Sequence, residues 1–258
     1  FDNKKIRVAL NIIFDFDWVN KNFFYGQYKR IGVPFLRNGT YFPNTDLSYI
    51  PDTTTDKYTT DRRTLLRNAD KILNEAVWVI TDGQRVNVKT GKPMSFEILL
   101  DNPADEKIAL AYARNLKKMG IEPNVRILDS AAYRGRMAEY DFDMTLYYWH
   151  STLSPGTEQY LYWSCESAKT PSRWNYAGVC DPEIDALAKA IPEAKTRSEL
   201  IEKAQKLDKK LQDGAYMVPL YYNPQDYVAY WKMLKRPETT PLYGIVVETW
   251  WADQDKAP

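Results

Sequence analysis

The chain has 258 residues, 44% of them hydrophobic and 27% charged, with a formal net charge of +1; a chain of this length and mixture can bury a real core and hold one large or two modest domains. The charge balance argues against nucleic acid as the main partner, because phosphate binding needs a basic excess, and no apolar stretch approaches the roughly 20 residues of a membrane-spanning helix. The unusual quantity is 14% aromatics, with 19 Tyr and 8 Trp, side chains that pair a broad apolar face with a polar tip and so suit ligand walls as well as cores.

Residues 4–14 read as a helix with Ile6, Leu10, Ile13 and Phe14 on one face, and a shorter one passes through Trp18, Asn22 and Tyr25 to end near Gly26. Residues 27–60 are irregular, interrupted by Pro34, Pro43 and Pro51, and a run of this length points to a functional loop or to missing sequence. Asp61 has the position of an N-cap for a helix that turns Leu65, Ala69, Ile72 and Leu73 inward.

From Trp78 onward the pattern becomes α/β. Ser95–Leu100 is a short apolar strand, and Asn102-Pro103 is a cap followed by proline at the first helical position. Ile108, Tyr112, Leu116 and Met119 form the buried stripe of that helix, which Gly120 stops. A strand at Asn124–Leu128, a helix over 130–139 and an alternating strand at Asp141–Trp149 follow. Strand, helix, strand, helix, strand implies parallel pairing with right-handed crossovers, and ligands gather beyond the carboxyl ends of such strands. Tyr147, Trp149 and His150 stand at such an end, and Ser154-Pro155 predicts a helix to about Trp163 whose N-terminus would face them. Asp181-Pro182 starts another helix, and Thr196 with Glu199 makes a capping box for a longer one that Gly214 ends. Tyr216–Tyr222 reads as a strand, edge-placed or bulged by Pro219, with further strands at 226–231 and 242–251.

Cys165 and Cys180 flank one loop containing Pro, Ser and Gly. They are either a disulfide, which needs an oxidising compartment, or two separate buried thiols; the spacing favours the bond. His150 is the single histidine, too few soft ligands for a zinc site, and no nucleophile elbow, phosphate-binding glycine loop or His pair is present. The start, Phe-Asp-Asn-Lys-Lys, lacks both Met and a signal peptide, as a processed or partial polypeptide would.

Three blocks carry a resemblance to a known family. Asn3–Gly26 is similar to a "D-x-R-V-R-x-A-L" helix, residues 69–78 (ADKILNEAVW) to an "A-x-x-L-L-x-E-A-G-W" motif, and Met217–Tyr222 (MVPLYY) to a "P-L-Y-Y" strand. Together they resemble the C-terminal half of bacterial extracellular solute-binding proteins of family 5, the oligopeptide, dipeptide and nickel binders of ABC importers. FDFDWVNKNFFYG, FEILL and VETWW look like the branch that imports peptides and microcin C. The second motif departs from the family at Val77, where Gly is usual, in a conformation costly for a β-branched residue.

The resemblance implies a lobe of the type II periplasmic binding protein fold, an α/β unit with a mixed open sheet flanked by helices. Residues 1–222 would form the second ligand-binding lobe, and 223–258 would return to a first lobe that precedes this sequence. It implies no cofactor and no catalysis. It implies capture of oligopeptides or peptide-like compounds in the periplasm and delivery to membrane permease subunits. The implied ligand wall is Trp149, His150, Arg173, Trp174, Asn175 and Tyr176, joined by Tyr147 and by Arg30 at the edge of the early loop. Arg173 has the fork geometry for a carboxylate. Thr152 stands where oligopeptide binders carry an Asp for the peptide amino terminus. The competing readings are a carbohydrate binder, since Trp and Tyr also stack on sugars, and a hydrolase built on paired carboxylates.

Overall fold

Helix starts follow the capping side chains. In the computed structural model, which describes residues 1–30, 46–48, 61–147, 149, 152–223, 225, 227–241 and 244–253, Asn3 accepts the Lys5 N–H to open α1 (Lys4–Ile13) and Asp15 accepts the Trp18 N–H to open α2 (Phe16–Phe23). A two-residue strand, β1 (Lys29–Arg30), follows. Asp61 accepts the Thr64 N–H at the head of α3 (Arg62–Glu75), as its position predicts. Leu10, Ile13, Ala69 and Leu73 bring α1 and α3 into one buried core.

Helix α3 ends in strain. Val77 has φ +62°, and its N–H donates to the Asn74 carbonyl. Glycine favours this left-handed position because it has no Cβ to crowd the following carbonyl; a β-branched valine accepts that crowding. The departure noted in the sequence is therefore a departure in backbone energy as well. Beyond it, β2 (Trp78–Thr81) and β3 (Gln84–Asn87) form an antiparallel hairpin across Asp82-Gly83, both at positive φ. The Asp-Gly pair that closes it is among the strongest short-range hairpin signals in a sequence.

The central sheet is the parallel unit that the alternation implies. β4 (Ser95–Leu100) leads into α4 (Pro103–Lys118), then β5 (Glu122–Ile127), α5 (Ser130–Ala138) and β6 (Met144–Thr145), with the order β5-β4-β6 and all pairs parallel. Asn102 caps α4 and Asp129 caps α5. β6 is much shorter than the alternation over 141–149 predicts, pairing only opposite Ile98 and Leu99. The chain is released from the sheet at Leu146, so the aromatic residues beyond leave the ladder and gather as a surface.

One buried cation ties three connections at the other end of this sheet. The Arg85 side chain is 0% exposed; its guanidinium donates to the Met119 and Trp78 carbonyls and to Asn74 Oδ1, and pairs with Asp70 at 2.6 Å. Gly120, at φ +75°, lies so close that an added Cβ would sit 2.9 Å from the Arg85 backbone nitrogen. A side chain at 120 would push the hairpin off the sheet.

A second core forms around helices. α6 (Glu158–Trp163), α7 (Cys165–Lys169), α8 (Pro182–Ala190), a 3-10 turn at Ile191–Glu193 and α9 (Arg197–Gly214) bury Trp163, Val179, Ile184, Leu207 and Leu211 together with Leu47 from the early loop. Asp181 caps α8. Thr196 accepts the Glu199 N–H at the start of α9, while the Glu199 carboxylate accepts the N–H of Lys195 in place of the capping residue itself. Two expectations are corrected here. The helix predicted from Ser154-Pro155 begins only at Glu158, whose carboxylate accepts the Gly156 N–H and so holds that turn out of the helix. Gly214 is the last helical residue, and Ala215 takes the left-handed cap at φ +51°. Glycine is needed at 214 because the Tyr216 ring lies against it, 2.0 Å from where a Cβ would be.

Of the strand predicted over 216–222, only β7 (Tyr221–Tyr222) pairs, antiparallel to β1; Pro219 upstream lacks the N–H a ladder requires. The strands predicted at 226–231 and 242–251 are displaced. Residues 227–231 carry no strand, β8 (Leu234–Lys235) and β9 (Trp251–Ala252) pair instead, and Val247–Thr249 is a 3-10 turn; residues 226, 242 and 243 lie outside the described set.

Candidate ligand-binding rim

Where β6 ends, the aromatic side chains that follow it meet those of the loop before α8. The Tyr147 ring lies 5.4 Å from that of Trp149 and 4.7 Å from that of Tyr176, and Tyr176 in turn contacts Tyr140 and Phe142 at 6.0 and 6.3 Å. Trp149 packs 5.1 Å from the buried Trp163 and donates its indole N–H to the Trp174 carbonyl at 3.3 Å. Trp174, 44% exposed, sits 6.1 Å from Tyr162. Tyr147, Trp149, Trp174 and Tyr176 are thus one contiguous surface, backed by core rings and open on one side.

The loop that carries half of this surface is anchored twice. Cys165 and Cys180 are bonded, closing the loop at its base. Asn175, 1% exposed, donates its amide hydrogens to the Ser164 and Val179 carbonyls and accepts the Val179 N–H. Those contacts occupy its amide, so Asn175 is corrected from a ligand-facing residue to an internal one. Leu153, beyond Trp149, is held from outside, its carbonyl accepting an N–H of Arg197, which also pairs with Asp46.

The remaining sequence-predicted residues divide. Arg173 is exposed next to the rim, near enough for its charge to act on Tyr140, and has no ion pair among the described residues. Arg30 lies elsewhere, on β1 opposite Tyr221, where Phe24, Tyr28 and Tyr221 form a second ring cluster with centroids 4.6–4.8 Å apart. His150 is outside the described residues.

Sequence reasoning missed the polar groups at the carboxyl end of β4. The Tyr133 hydroxyl bonds that of Thr145 at 2.9 Å, and burial, opposed by that bond, raises its pKa with help from the charges of Asp101 and Asp105. Burial pushes Tyr221 up to about 12, with Asp105 adding to the shift, and Asp105 itself is raised by burial and by the nearby Asp101 carboxylate. Asp105 therefore lies within electrostatic reach of both Tyr133, next to the rim, and Tyr221, in the second ring cluster. The carboxyl-end rule for open sheets would have found these residues had it been applied to β4 as well as β6. A cavity of about 210 Å³ touching Gly83, Ser95, Lys117 and Glu122 lies at the amino ends of the strands, on the opposite side of the sheet.

Comparison with known proteins agrees with this architecture. Residues 1–172 match the family model described as bacterial extracellular solute-binding proteins, family 5 Middle. The protein y4wM of Sinorhizobium fredii is 38% identical over 274 residues, covering 98% of this chain and 41% of that protein. The probable peptide-binding protein YejA of Agrobacterium fabrum is 33% identical over 272 residues, covering 98% and 44%. Among solved structures, the oligopeptide-binding protein AppA of Bacillus subtilis in complex with a nonapeptide superposes with a TM-score of 0.72 at 24% identity, covering 98% of this chain and 48% of AppA. NikZ of Campylobacter jejuni in complex with Ni(L-His) gives 0.68 at 19% identity, covering 96% and 48%. The chain spans less than half the length of these relatives. With its three-stranded parallel sheet and its α/β periplasmic-binding-protein architecture, it belongs to the bacterial extracellular solute-binding proteins of family 5.

Proposed function

We propose that this chain is the second lobe of a substrate-binding component of an ABC importer, which captures oligopeptides or peptide-like compounds in the periplasm, hands them to a membrane permease and alters no bond in them. The observation that carries this reading is the aromatic rim at the carboxyl end of the sheet, where Tyr147 and Trp174 are exposed and Trp149 and Tyr176 half-buried beside them. Such a wall offers adaptable apolar area to an extended chain whose own backbone groups supply sequence-independent hydrogen bonds. The name of YejA and the nonapeptide in AppA point to the same class of guest. The disulfide fits an oxidising compartment.

In this reading residues 1–222 make the lobe and 223–258 return toward a first lobe. The exposure of Tyr227, Val228, Tyr230, Trp251 and above all Trp231, at 79%, supports it, because so many exposed apolar side chains in one terminal segment suit a surface that another element covers. Closure of two lobes about a hinge would then bury the guest. The rim alone is half of an enclosure. Titrating a peptide mixture against the 258-residue chain and against the full-length polypeptide should give measurable affinity only for the latter. Mass spectrometry of whatever co-purifies with the full-length polypeptide should find peptide; a sugar there, or turnover of a substrate panel, would overturn the assignment.

A further inference from the structure

The structure assigns Asn175 as a positioning residue that duplicates the disulfide, so that the aromatic rim keeps its shape when Cys165–Cys180 is reduced. The inference rests on the rim being the ligand wall, but it can be tested separately from that reading. The disulfide joins position 165 to position 180. The Asn175 amide joins the residue before each of them: its nitrogen donates to the Ser164 and Val179 carbonyls, both at 2.8 Å, and its oxygen accepts the Val179 N–H at 2.9 Å. A covalent and a hydrogen-bonded link therefore tie the same two chain segments, one at the loop base and one inside it.

The neighbours of Asn175 are the rim. The Trp174 carbonyl receives the Trp149 indole N–H, and the Tyr176 ring packs on Tyr147. With the Asn175 side chain almost completely buried and its amide engaged, Trp174 and Tyr176 are left projecting from either side of a fixed point. The bonds from its nitrogen are made to carbonyls on both segments, so a residue without those donors removes the hydrogen-bonded link inside the loop, while the disulfide, the Cys165 N–H donated to Asp185 and the shared core of Trp163 and Val179 remain at its base. Cys180 is exposed, which puts the covalent link within reach of a thiol, whereas the amide link is sealed.

The experiment uses the full-length polypeptide as wild type, C165S/C180S, Asn175→Ala, and the three changes together. Peptide affinity is measured at a temperature far below melting, with and without a thiol reductant, alongside near-UV circular dichroism and acrylamide quenching of tryptophan. Wild type should bind equally in both redox states, and C165S/C180S should bind like wild type. Asn175→Ala should bind when oxidised and lose affinity by roughly tenfold when reduced, with increased quenching, as coupled neighbours behave; the triple variant should match its reduced form. Urea midpoints of each variant in both redox states show whether the reduced Asn175→Ala protein is still folded when its affinity is read. Wild-type binding lost on reduction, or Asn175→Ala indifferent to it, would overturn the assignment. Should no variant bind peptide, the ligand reading fails, and the redox dependence of quenching in Asn175→Ala still decides whether the amide duplicates the bond.

Discussion

Trp149 and Trp174, 25 residues apart in the chain, are joined by a hydrogen bond from the indole nitrogen of the first to the backbone carbonyl of the second. The bond fixes the indole tilted against Trp163 and nearly perpendicular to Tyr147, and it attaches the segment after β6 to the disulfide-closed loop. Phenylalanine at position 149 would keep a ring there but leave the carbonyl without its donor. Trp149→Phe in the full-length polypeptide should therefore cost about 1 kcal/mol of stability, the equivalent of one neutral hydrogen bond, and should weaken peptide binding by loosening the rim. Trp149→Ala should weaken it further. Calorimetric titration checks this, and unchanged affinity in both variants would remove Trp149 from the ligand wall.

Val77 should be the easiest residue to improve. Its left-handed backbone, φ +62°, disfavours a side chain with two γ-carbons, and the residue is exposed enough that little burial is lost with it. Val77→Gly should stabilise the protein by roughly 1 kcal/mol, seen as a higher urea midpoint at unchanged slope. A lower midpoint would mean that packing of the valine outweighs its strain.

Arg85 should be among the most sensitive positions. Removing a fully buried guanidinium leaves a cavity and takes the donor from the Met119 and Trp78 carbonyls and Asn74 Oδ1, whereas Asp70, 40% exposed, keeps the Asn74 amide and water. Arg85→Ala should destabilise by about 3 kcal/mol. Denaturant titration checks it, and a change below about 1 kcal/mol would show that water replaces these contacts.

Alkaline pH should weaken the fold through two tyrosines. Burial holds the Tyr112 phenol well above its usual value, and Tyr221 is pushed up to about 12. In the unfolded chain both ionise near pH 10. Above that, the unfolded state has released protons that the folded state keeps, so stability falls as pH rises from about 10 and is untouched by these groups below it. Tyr112→Phe also loses the hydrogen bond from the phenol to the Leu10 carbonyl. It should be less stable at pH 7 by about 1 kcal/mol and should decline less steeply above pH 10. Urea midpoints from pH 8 to 11.5 measure both effects; an unchanged alkaline slope would place the loss in other groups.

Much of this protein was decided within a few residues at a time. Asn3, Asp61, Asn102, Asp181 and Thr196 announce helix starts because a short polar side chain there satisfies an N–H two or three residues on, a contact that needs no distant partner. The order of strands and helices from Ser95 onward dictates the parallel sheet, and the end of β6 is where the aromatic rim begins. Other features depended on partners far along the chain. β6 is short because pairing requires a neighbour along its whole length, and its alternation says nothing of where that neighbour stops. Gly214 yields to a ring two residues away, and Arg85 disappears into a core that hydropathy alone would deny it. Asn175 looked like a ligand contact because its polar group could face either way; only the folded positions of residues 164 and 179 turn it inward. Composition and local spacing determined which residues are aromatic and where helices begin. Tertiary packing alone decided which rings meet, because a contact between the two sides of a rim is a property of neither segment by itself.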